Sequence, residues 1–275
     1  MVACFRKYYP LVFLWGILSL SGCNNDILGL FGATGLDERW QARNTFNFLS
    51  SAGMNISPGD TYSFIVLNDI HINNGDTHGF EKLKDIITDN DIKFVVFNGD
   101  ITQNGRRKDI EKFIQITNSF GVPCYPVIGN HDIYFGNWPA WKELIGSTCY
   151  RVNAGGTTLL IMDSANAYFG AKQLKWLENE LTKTAERVFV FSHANLFVES
   201  KLNVAQFTDT RERAQIISLL KGRCDAMFSG HAHYQRIIKE WGGVHYITIE
   251  DYQDNGVYCR VWVSKDNICW EFRQL

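Results

Sequence analysis

Short apolar runs that end in aspartate, asparagine or histidine recur through the middle of this chain. A run of a few apolar residues followed directly by polar ones is typical of a buried strand. In chain order the runs lead into Asn68-Asp69-Ile70-His71, Asn98-Gly99-Asp100, Gly129-Asn130-His131-Asp132, Ser192-His193 and Gly230-His231-Ala232-His233. The carboxyl ends of strands in an open α/β sheet face the ligand crevice, so we expect these five clusters to converge in one pocket.

Helices are predicted between the strands, near residues 80–87, 110–117, 171–183 and 211–220, the first two from apolar side chains that share one helical face. The chain then ends in four predicted strands with tight connections, which is typical of antiparallel pairing. This order predicts an α/β layered domain with buried, partly parallel strands over residues 61–275. A chain of 275 residues is long enough to fill one sizeable core.

The donor atoms of the five clusters are oxygens and imidazole nitrogens, with no thiolate among them. That set suits Mn, Fe or Zn better than it suits a soft metal. Glycine precedes Asp100, Asn130 and His231, and we expect these glycines to let the backbone turn sharply where each strand stops. The sequence therefore predicts a metal site at the strand ends.

Composition and missing motifs exclude several classes of function. The formal net charge is −2, without the basic excess of an obligate nucleic-acid binder, so nucleic acid is an unexpected partner. The sequence contains neither G-x-x-x-x-G-K-[ST] nor G-x-S-x-G, which argues against a P-loop nucleotidase and a serine hydrolase. It also lacks C-x-x-C, and we expect buried free thiols at Cys124, Cys149, Cys224, Cys259 and Cys269.

The first 22 residues have the order of a bacterial lipoprotein signal peptide. Arg6 and Lys7 form a short basic region, and the apolar run over residues 11–18 is too short to span a hydrocarbon core of about 30 Å. The segment ends in Leu20-Ser21-Gly22-Cys23, which resembles a lipobox, whose cysteine is acylated and becomes the new N-terminus. An ordinary secretory peptide cleaved near Gly22 is the alternative.

Under either interpretation the mature protein is exported. Lipid on Cys23 would anchor it to the inner or outer membrane, in the periplasm or at the cell surface. Residues 23–60 are polar and dotted with glycine, and they are predicted to form a tether with a possible short helix over 37–49.

Taken together, the five clusters resemble the pattern of the calcineurin-like metallophosphoesterase superfamily: D-x-H, G-D, G-N-H-D/E, a single His and G-H-x-H. The match spans about residues 62–233, and the closing strands fit the same fold. The resemblance implies a four-layer α-β-β-α sandwich with two mixed sheets and a metal site at the C-terminal ends of the strands. It also implies two divalent or trivalent metal ions as cofactors.

The resemblance further implies a role for each motif residue. Asp69, His71 and His233 would bind the first metal, and Asn130, His193 and His231 the second. Asp100 would bridge them, and its two oxygens suit that task. His131 would sit beside the leaving group as general acid, with Asp132 orienting it. The implied reaction is hydrolysis of a phosphate mono- or diester of a small substrate, by a hydroxide that bridges the two metals.

Two questions stay open at this level. The same pocket would also suit a non-catalytic lipoprotein that binds a phosphorylated ligand, although binding alone does not need a proton donor such as the His131–Asp132 pair. The aromatic residues after that pair would either stack on a base or sugar or form an ordinary cap over the core; they are Tyr134, Phe135, Trp138 and Trp141. Nothing in the sequence indicates the oligomeric state.

Overall fold

Two β-sheets form the centre of the computed structural model, which describes residues 32–48, 54–183, 185–197, 207 and 209–275. The predicted signal segment and Cys23 lie outside the described residues. The strands are β1 (Tyr62–Leu67), β2 (Ile92–Asn98), β3 (Cys124–Val127), β4 (Tyr150–Ala154), β5 (Thr157–Met162), β6 (Arg187–Ser192), β7 (Ala226–Ser229), β8 (Ile237–Trp241), β9 (Val244–Thr248), β10 (Val257–Val263) and β11 (Ile268–Gln274).

Both sheets are mixed. The first has the order β11-β10-β1-β2-β3, with β1, β2 and β3 parallel and β10 and β11 antiparallel. The second has the order β4-β5-β6-β7-β9-β8, with parallel strands in the centre and antiparallel strands at its two edges. Because parallel strands end at a common edge, this topology brings the polar strand ends together.

The helices are α1 (Leu36–Gln41), α2 (Leu83–Asp89), α3 (Arg107–Thr117), α4 (Trp138–Leu144), α5 (Gly170–Glu180), α6 (Thr210–Leu220) and α7 (Tyr252–Asn255). Alternate residues of β1 belong to different layers: Phe64 and Val66 pack between the sheets, and Ile65 and Leu67 pack under α2, α3 and α4. On the second sheet, Leu160 and Val190 pack under α5 and α6. The α-β-β-α sandwich predicted from the resemblance is therefore confirmed.

One strand, β4, was missed by the sequence patterns. It lies at an edge of the second sheet, antiparallel to β5. Tyr150 and Val152 face the core between the sheets, whereas Arg151 pairs with Glu180 near the surface. A half-exposed edge strand lacks the continuous apolar run of a buried strand, and only its weaker alternation was available as a signal.

Residues 32–48 are part of the packed domain, so the prediction of a tether is wrong for this part of the chain. Arg39 on α1 is fully buried and forms a two-point ion pair with Asp163, with distances of 2.7 and 2.8 Å. Phe48 packs in the core under the first sheet, and Phe46 pairs with Gly146 in a short β-bridge. A buried charge needs a paired partner, and this partner is distant in the sequence.

The cysteines follow the prediction at four of five positions. Cys124, Cys149, Cys224 and Cys259 are buried free thiols, but Cys269 is exposed because it lies on the outer face of β11. Cys259 pairs with Phe272 and Cys269 with Trp262, so the two thiols point to opposite faces of the hairpin. No helix in the described part of the chain has the length and apolarity to cross a membrane.

Candidate metal centre

The loops after β1, β2, β3, β6 and β7 meet at one edge of the two sheets. Seven of the predicted site residues have ligand atoms in overlapping groups there: Asp69, His71, Asp100, His131, His193, His231 and His233. Asn130 precedes His131 in the same loop and is half-buried. The convergence predicted from the strand-end pattern is thus present in the structure.

The first group is arranged around Asp69. Its Oδ2 accepts hydrogen bonds from the backbone N–H of His231, at 2.9 Å, and from the amide of Asn68. Its Oδ1 lies 3.4 Å from Nε2 of His233 and 3.8 Å from Nε2 of His71. The same oxygen is 3.9 Å from Nε2 of His193. One oxygen is therefore anchored to the protein, and the other faces three imidazoles.

The second group repeats this arrangement around Asp100. Its Oδ1 accepts the backbone N–H of His131 at 2.9 Å, and its Oδ2 lies 3.2 Å from Nε2 of His193 and 3.8 Å from Nε2 of His71. Nε2 of His193 is 3.1 Å from Nδ1 of His231. Asp100 therefore faces both groups through a single oxygen.

The donor atoms fit metal ions. Oδ1 of Asp69, Oδ2 of Asp100 and both ring nitrogens of His71 are buried without a hydrogen-bond partner among the described residues. Leaving such atoms unpaired costs about 1–3 kcal/mol each. Ligands that surround one ion at about 2.0–2.2 Å lie about 3–3.5 Å apart, close to the separations found here. Buried oxygens and imidazoles that face each other without protein partners are the set that a pair of cations would satisfy.

Electrostatic attraction between the carboxylates and the imidazoles of the cluster shifts their pKa values strongly. Burial alone would raise the pKa of Asp100, but His193 and His131 hold it well below its usual range. In the same way, His233 and His193 hold the pKa of Asp69 well below normal. Burial alone would lower the pKa of His193 and His233, whereas the two carboxylates raise each to about 9.

Several of these residues have a strained backbone. Four of the nine non-glycine residues with positive φ in the described chain are in the cluster: Asp69 (54°), His71 (54°), Asp100 (50°) and His231 (67°). Such conformations cost of the order of 1–3 kcal/mol each and persist where the surrounding structure holds them, commonly at functional sites. The strain is concentrated at the residues that carry the donor atoms.

Two glycines allow the loops to approach closely. Gly99 has φ +98°, and a Cβ there would lie 2.3 Å from Nδ1 of His193. A Cβ on Gly129 would lie 2.2 Å from the backbone nitrogen of Asp100. Gly99 has the conformation expected from the sequence, but Gly129 and Gly230 lack a positive φ, so close approach rather than a sharp turn explains them.

His131 is held between three neighbours. Its Nδ1 lies 2.8 Å from the backbone oxygen of Gln103, and because a carbonyl oxygen only accepts, Nδ1 carries the proton. The ring centroid of His71 is 4.5 Å away on one side, and that of Tyr134 is 4.6 Å away on another. Nε2 forms no hydrogen bond with the described residues, so it is the nitrogen available for chemistry.

Asp132 does not touch the imidazole it was expected to orient. Its carboxylate accepts hydrogen bonds from the backbone N–H groups of Gly129, Ile101 and Thr102 and from the Thr102 hydroxyl. These bonds tie the loop after β2 to the loop after β3. The predicted orienting role is therefore performed by the Gln103 backbone, which no side-chain motif reveals.

The aromatic residues after His131 are divided between core and surface. Trp138 and Trp141 are buried in the core under the first sheet, Tyr134 is buried beside His131, and Phe135 is 43% exposed. The alternative of a hydrophobic cap is therefore correct for the two tryptophans. Neither remaining histidine joins the cluster: His78 lies beside Asp76, and His245 packs on Trp270.

Asp251 was missed by the sequence patterns. It is buried, its backbone N–H donates to the carbonyl of His233 at 2.9 Å, and its carboxylate caps the start of α7. With Asp254 it forms a third acidic group next to His233. Its only sequence signal was that of an aspartate preceding a short helix.

A family model for calcineurin-like phosphoesterases matches residues 62–235, which is more than half of the chain. The chain belongs to the calcineurin-like phosphoesterase family. The superfamily resemblance seen in the motifs is thus confirmed.

Similar proteins agree with this assignment. A probable cyclic nucleotide phosphodiesterase from Fibrobacter succinogenes is 23% identical over 172 residues, and the match spans 58% of this chain and 64% of that relative. A dimetal phosphatase from Danio rerio has a similar structure, with a TM-score of 0.63 and 16% identity over 79% of this chain and 97% of its own. A purple acid phosphatase from yellow lupin has a TM-score of 0.63 and 15% identity, and the match covers 79% of this chain and 52% of that structure. At these identities the structural likeness concerns the fold.

Proposed function

We propose that this calcineurin-like phosphoesterase is an exported two-metal enzyme that hydrolyses phosphodiesters. The observation that carries the proposal is the pair of anchored carboxylates, Asp69 and Asp100, each of which turns one unpaired oxygen toward imidazoles at 3.2–3.9 Å. Asp69, His71 and His233 would hold one ion, and Asn130, His193 and His231 the other. Asp100 would be shared between them.

The bound ions would neutralise phosphate charge and supply a nucleophile from water at neutral pH. The remaining barrier is departure of the alkoxide. His131, protonated on both ring nitrogens, would lower it by giving the proton on Nε2 to the leaving oxygen as the P–O bond breaks, while the proton on Nδ1 stays hydrogen-bonded to Gln103. General acid catalysis of this kind contributes about 10²–10⁴-fold.

A phosphodiester, including a cyclic nucleotide, is the substrate class we favour. The support is the similarity to the probable cyclic nucleotide phosphodiesterase of Fibrobacter succinogenes. Phosphate monoesters are the second candidate, because the same cluster would serve either reaction. An exposed Phe135 close to the ring pair of Tyr134 and His131 would suit a planar leaving group.

The test is hydrolysis by the purified full-length protein loaded in turn with Mn²⁺, Fe²⁺ or Zn²⁺. The panel should contain a bis-aryl phosphodiester, an aryl monoester, 3′,5′-cyclic nucleotides and a pyrophosphate. We expect metal-dependent cleavage of the diesters above the monoester. A protein that binds two metals and a phosphorylated ligand but turns over none of the panel would instead be the non-catalytic binding lipoprotein.

We also propose export with a lipid on Cys23. The order of basic region, apolar run and Leu20-Ser21-Gly22-Cys23 supports it. Expressed in a bacterial host, the wild type should take up labelled fatty acid and fractionate with membranes, and Cys23→Ala should do neither. Unlabelled wild-type protein recovered in the soluble periplasm would indicate an ordinary secretory peptide instead.

A further inference from the structure

The hydroxyl of Tyr134 lies 2.9 Å from Nδ2 of Asn130 and accepts a hydrogen bond from it. A side-chain amide binds a metal through its oxygen, because its NH₂ group is a donor and offers no free lone pair. By occupying the NH₂ group, Tyr134 fixes the rotation of the amide and leaves Oδ1 as the available atom. Without this bond, the amide of Asn130 is free to present its NH₂ group to the cations.

The ring of the same tyrosine packs against His131. The two centroids are 4.6 Å apart with an angle of 39° between the planes, and His71 contacts the imidazole edge-on at 4.5 Å. His131 therefore lies between two rings while Gln103 holds its Nδ1. Removing the tyrosine ring would open one side of the imidazole and let Nε2 swing away from the leaving group.

Local backbone structure explains how one residue reaches both neighbours. Residues His131–Gly136 form a 3₁₀ segment, in which side chains three residues apart eclipse one another. That spacing places Tyr134 over His131. The segment is kinked at Tyr134 (ψ 157°) and at Phe135 (φ 55°), and Tyr134 is 1% exposed.

We propose that Tyr134 is a positioning residue that acts on both halves of the reaction. Its hydroxyl acts through Asn130 on metal binding, and its ring acts through His131 on departure of the leaving group. The inference rests on the proposed function, since that function assigns Asn130 to a metal and His131 to the leaving group. The two actions use different atoms of one side chain, so two substitutions separate them.

The first test is Tyr134→Phe, which keeps the ring and removes only the hydroxyl. We expect the affinity for the ion held with Asn130 to fall about 10–100-fold in calorimetric titration with Mn²⁺ or Zn²⁺. The dependence of kcat/KM on the basicity of the leaving group should stay as in the wild type. Tyr246→Phe is the matched control, because it removes a buried hydroxyl that has no hydrogen-bond partner among the described residues.

The second test is Tyr134→Leu, which also removes the ring. We expect the same loss of metal affinity together with a steeper dependence on leaving-group basicity, approaching that of His131→Ala. Wild-type metal affinity in Tyr134→Phe, or an equal loss in Tyr246→Phe, would overturn the inference. If Tyr134→Leu does not fold, the titration of Tyr134→Phe decides alone. A wild-type protein that binds no second ion would instead refute the proposed function, so the two failures are distinguishable.

Discussion

Nδ1 of His131 donates a hydrogen bond to the backbone oxygen of Gln103 at 2.8 Å. This bond holds the proton on Nδ1 and fixes the direction in which Nε2 points. A backbone carbonyl keeps its position whatever side chain occupies residue 103, so the orientation of the imidazole depends on the path of the loop after β2. The imidazole of His131 and the carboxylate of Asp100 are therefore both positioned by the loop after β2.

Removal of the acid should affect poor leaving groups most. In His131→Ala we expect both metals to stay bound and kcat/KM for esters with basic leaving groups to fall about 10²–10⁴-fold. Activated aryl esters should lose much less, because their weakly basic aryloxides leave without a proton. The measurement is a series of aryl phosphodiesters of graded leaving-group basicity. An equal loss for every ester, together with loss of metal, would mean that His131 is not the acid.

Asp132→Asn should act on stability and leave the acid in place. The substitution puts an NH₂ group among the N–H groups of Gly129, Ile101 and Thr102, which at present meet carboxylate oxygens. We expect the free energy of unfolding to fall by about 1–3 kcal/mol. Urea unfolding measures this loss, and the leaving-group series should match the wild type. If kcat/KM depended more steeply on leaving-group basicity, as expected for His131→Ala, the orienting role first predicted for Asp132 would be correct.

Gly99→Ala should displace His193. The added Cβ would lie 2.3 Å from Nδ1 of that imidazole, which also lies 3.1 Å from the backbone oxygen of Asn98. We expect loss of the ion held at His193, measured as metal bound per chain. Gly121→Ala is the control: its φ is +72° with nothing within 4 Å of the new Cβ, so it should cost about 1–2 kcal/mol of stability and no metal. Equal metal content in the two variants would contradict this account.

The sequence predicted the parts of this molecule that depend on local pattern. Short apolar runs followed by Asp69, Asp100 or His193 identified both the strands and their shared edge, because strand ends meet by geometry alone. The burial of Arg39 was beyond local pattern, since it depends on Asp163, which lies 124 residues away. The contacts of Tyr134 with Asn130 and His131 were missed because they depend on a kink in the backbone. The hydrogen bond from His131 to Gln103 was missed because a backbone carbonyl has no side-chain signature.

Metal binding should release protons, and its affinity should rise with pH. In the metal-free protein burial alone would lower the pKa of His193 and His233, but Asp100 and Asp69 raise each to about 9. Below that pH a metal ion must displace their protons, so affinity increases with pH until about pH 9. Calorimetry between about pH 6 and 8, in buffers of different ionisation enthalpy, should show release of up to about two protons per chain. Binding without proton release would show that these imidazoles are not ligands.

Metal removal and return test the central claim most directly. The purified full-length protein should contain two metal ions per chain by elemental analysis and cleave a bis-aryl phosphodiester. Chelation should abolish the activity, and return of Mn²⁺, Fe²⁺ or Zn²⁺ should restore it. The restored activity should be proportional to the fraction of chains that hold a second ion. Hydrolysis that survives complete removal of metal would contradict the account, as would two bound ions with no turnover of any monoester, diester or pyrophosphate.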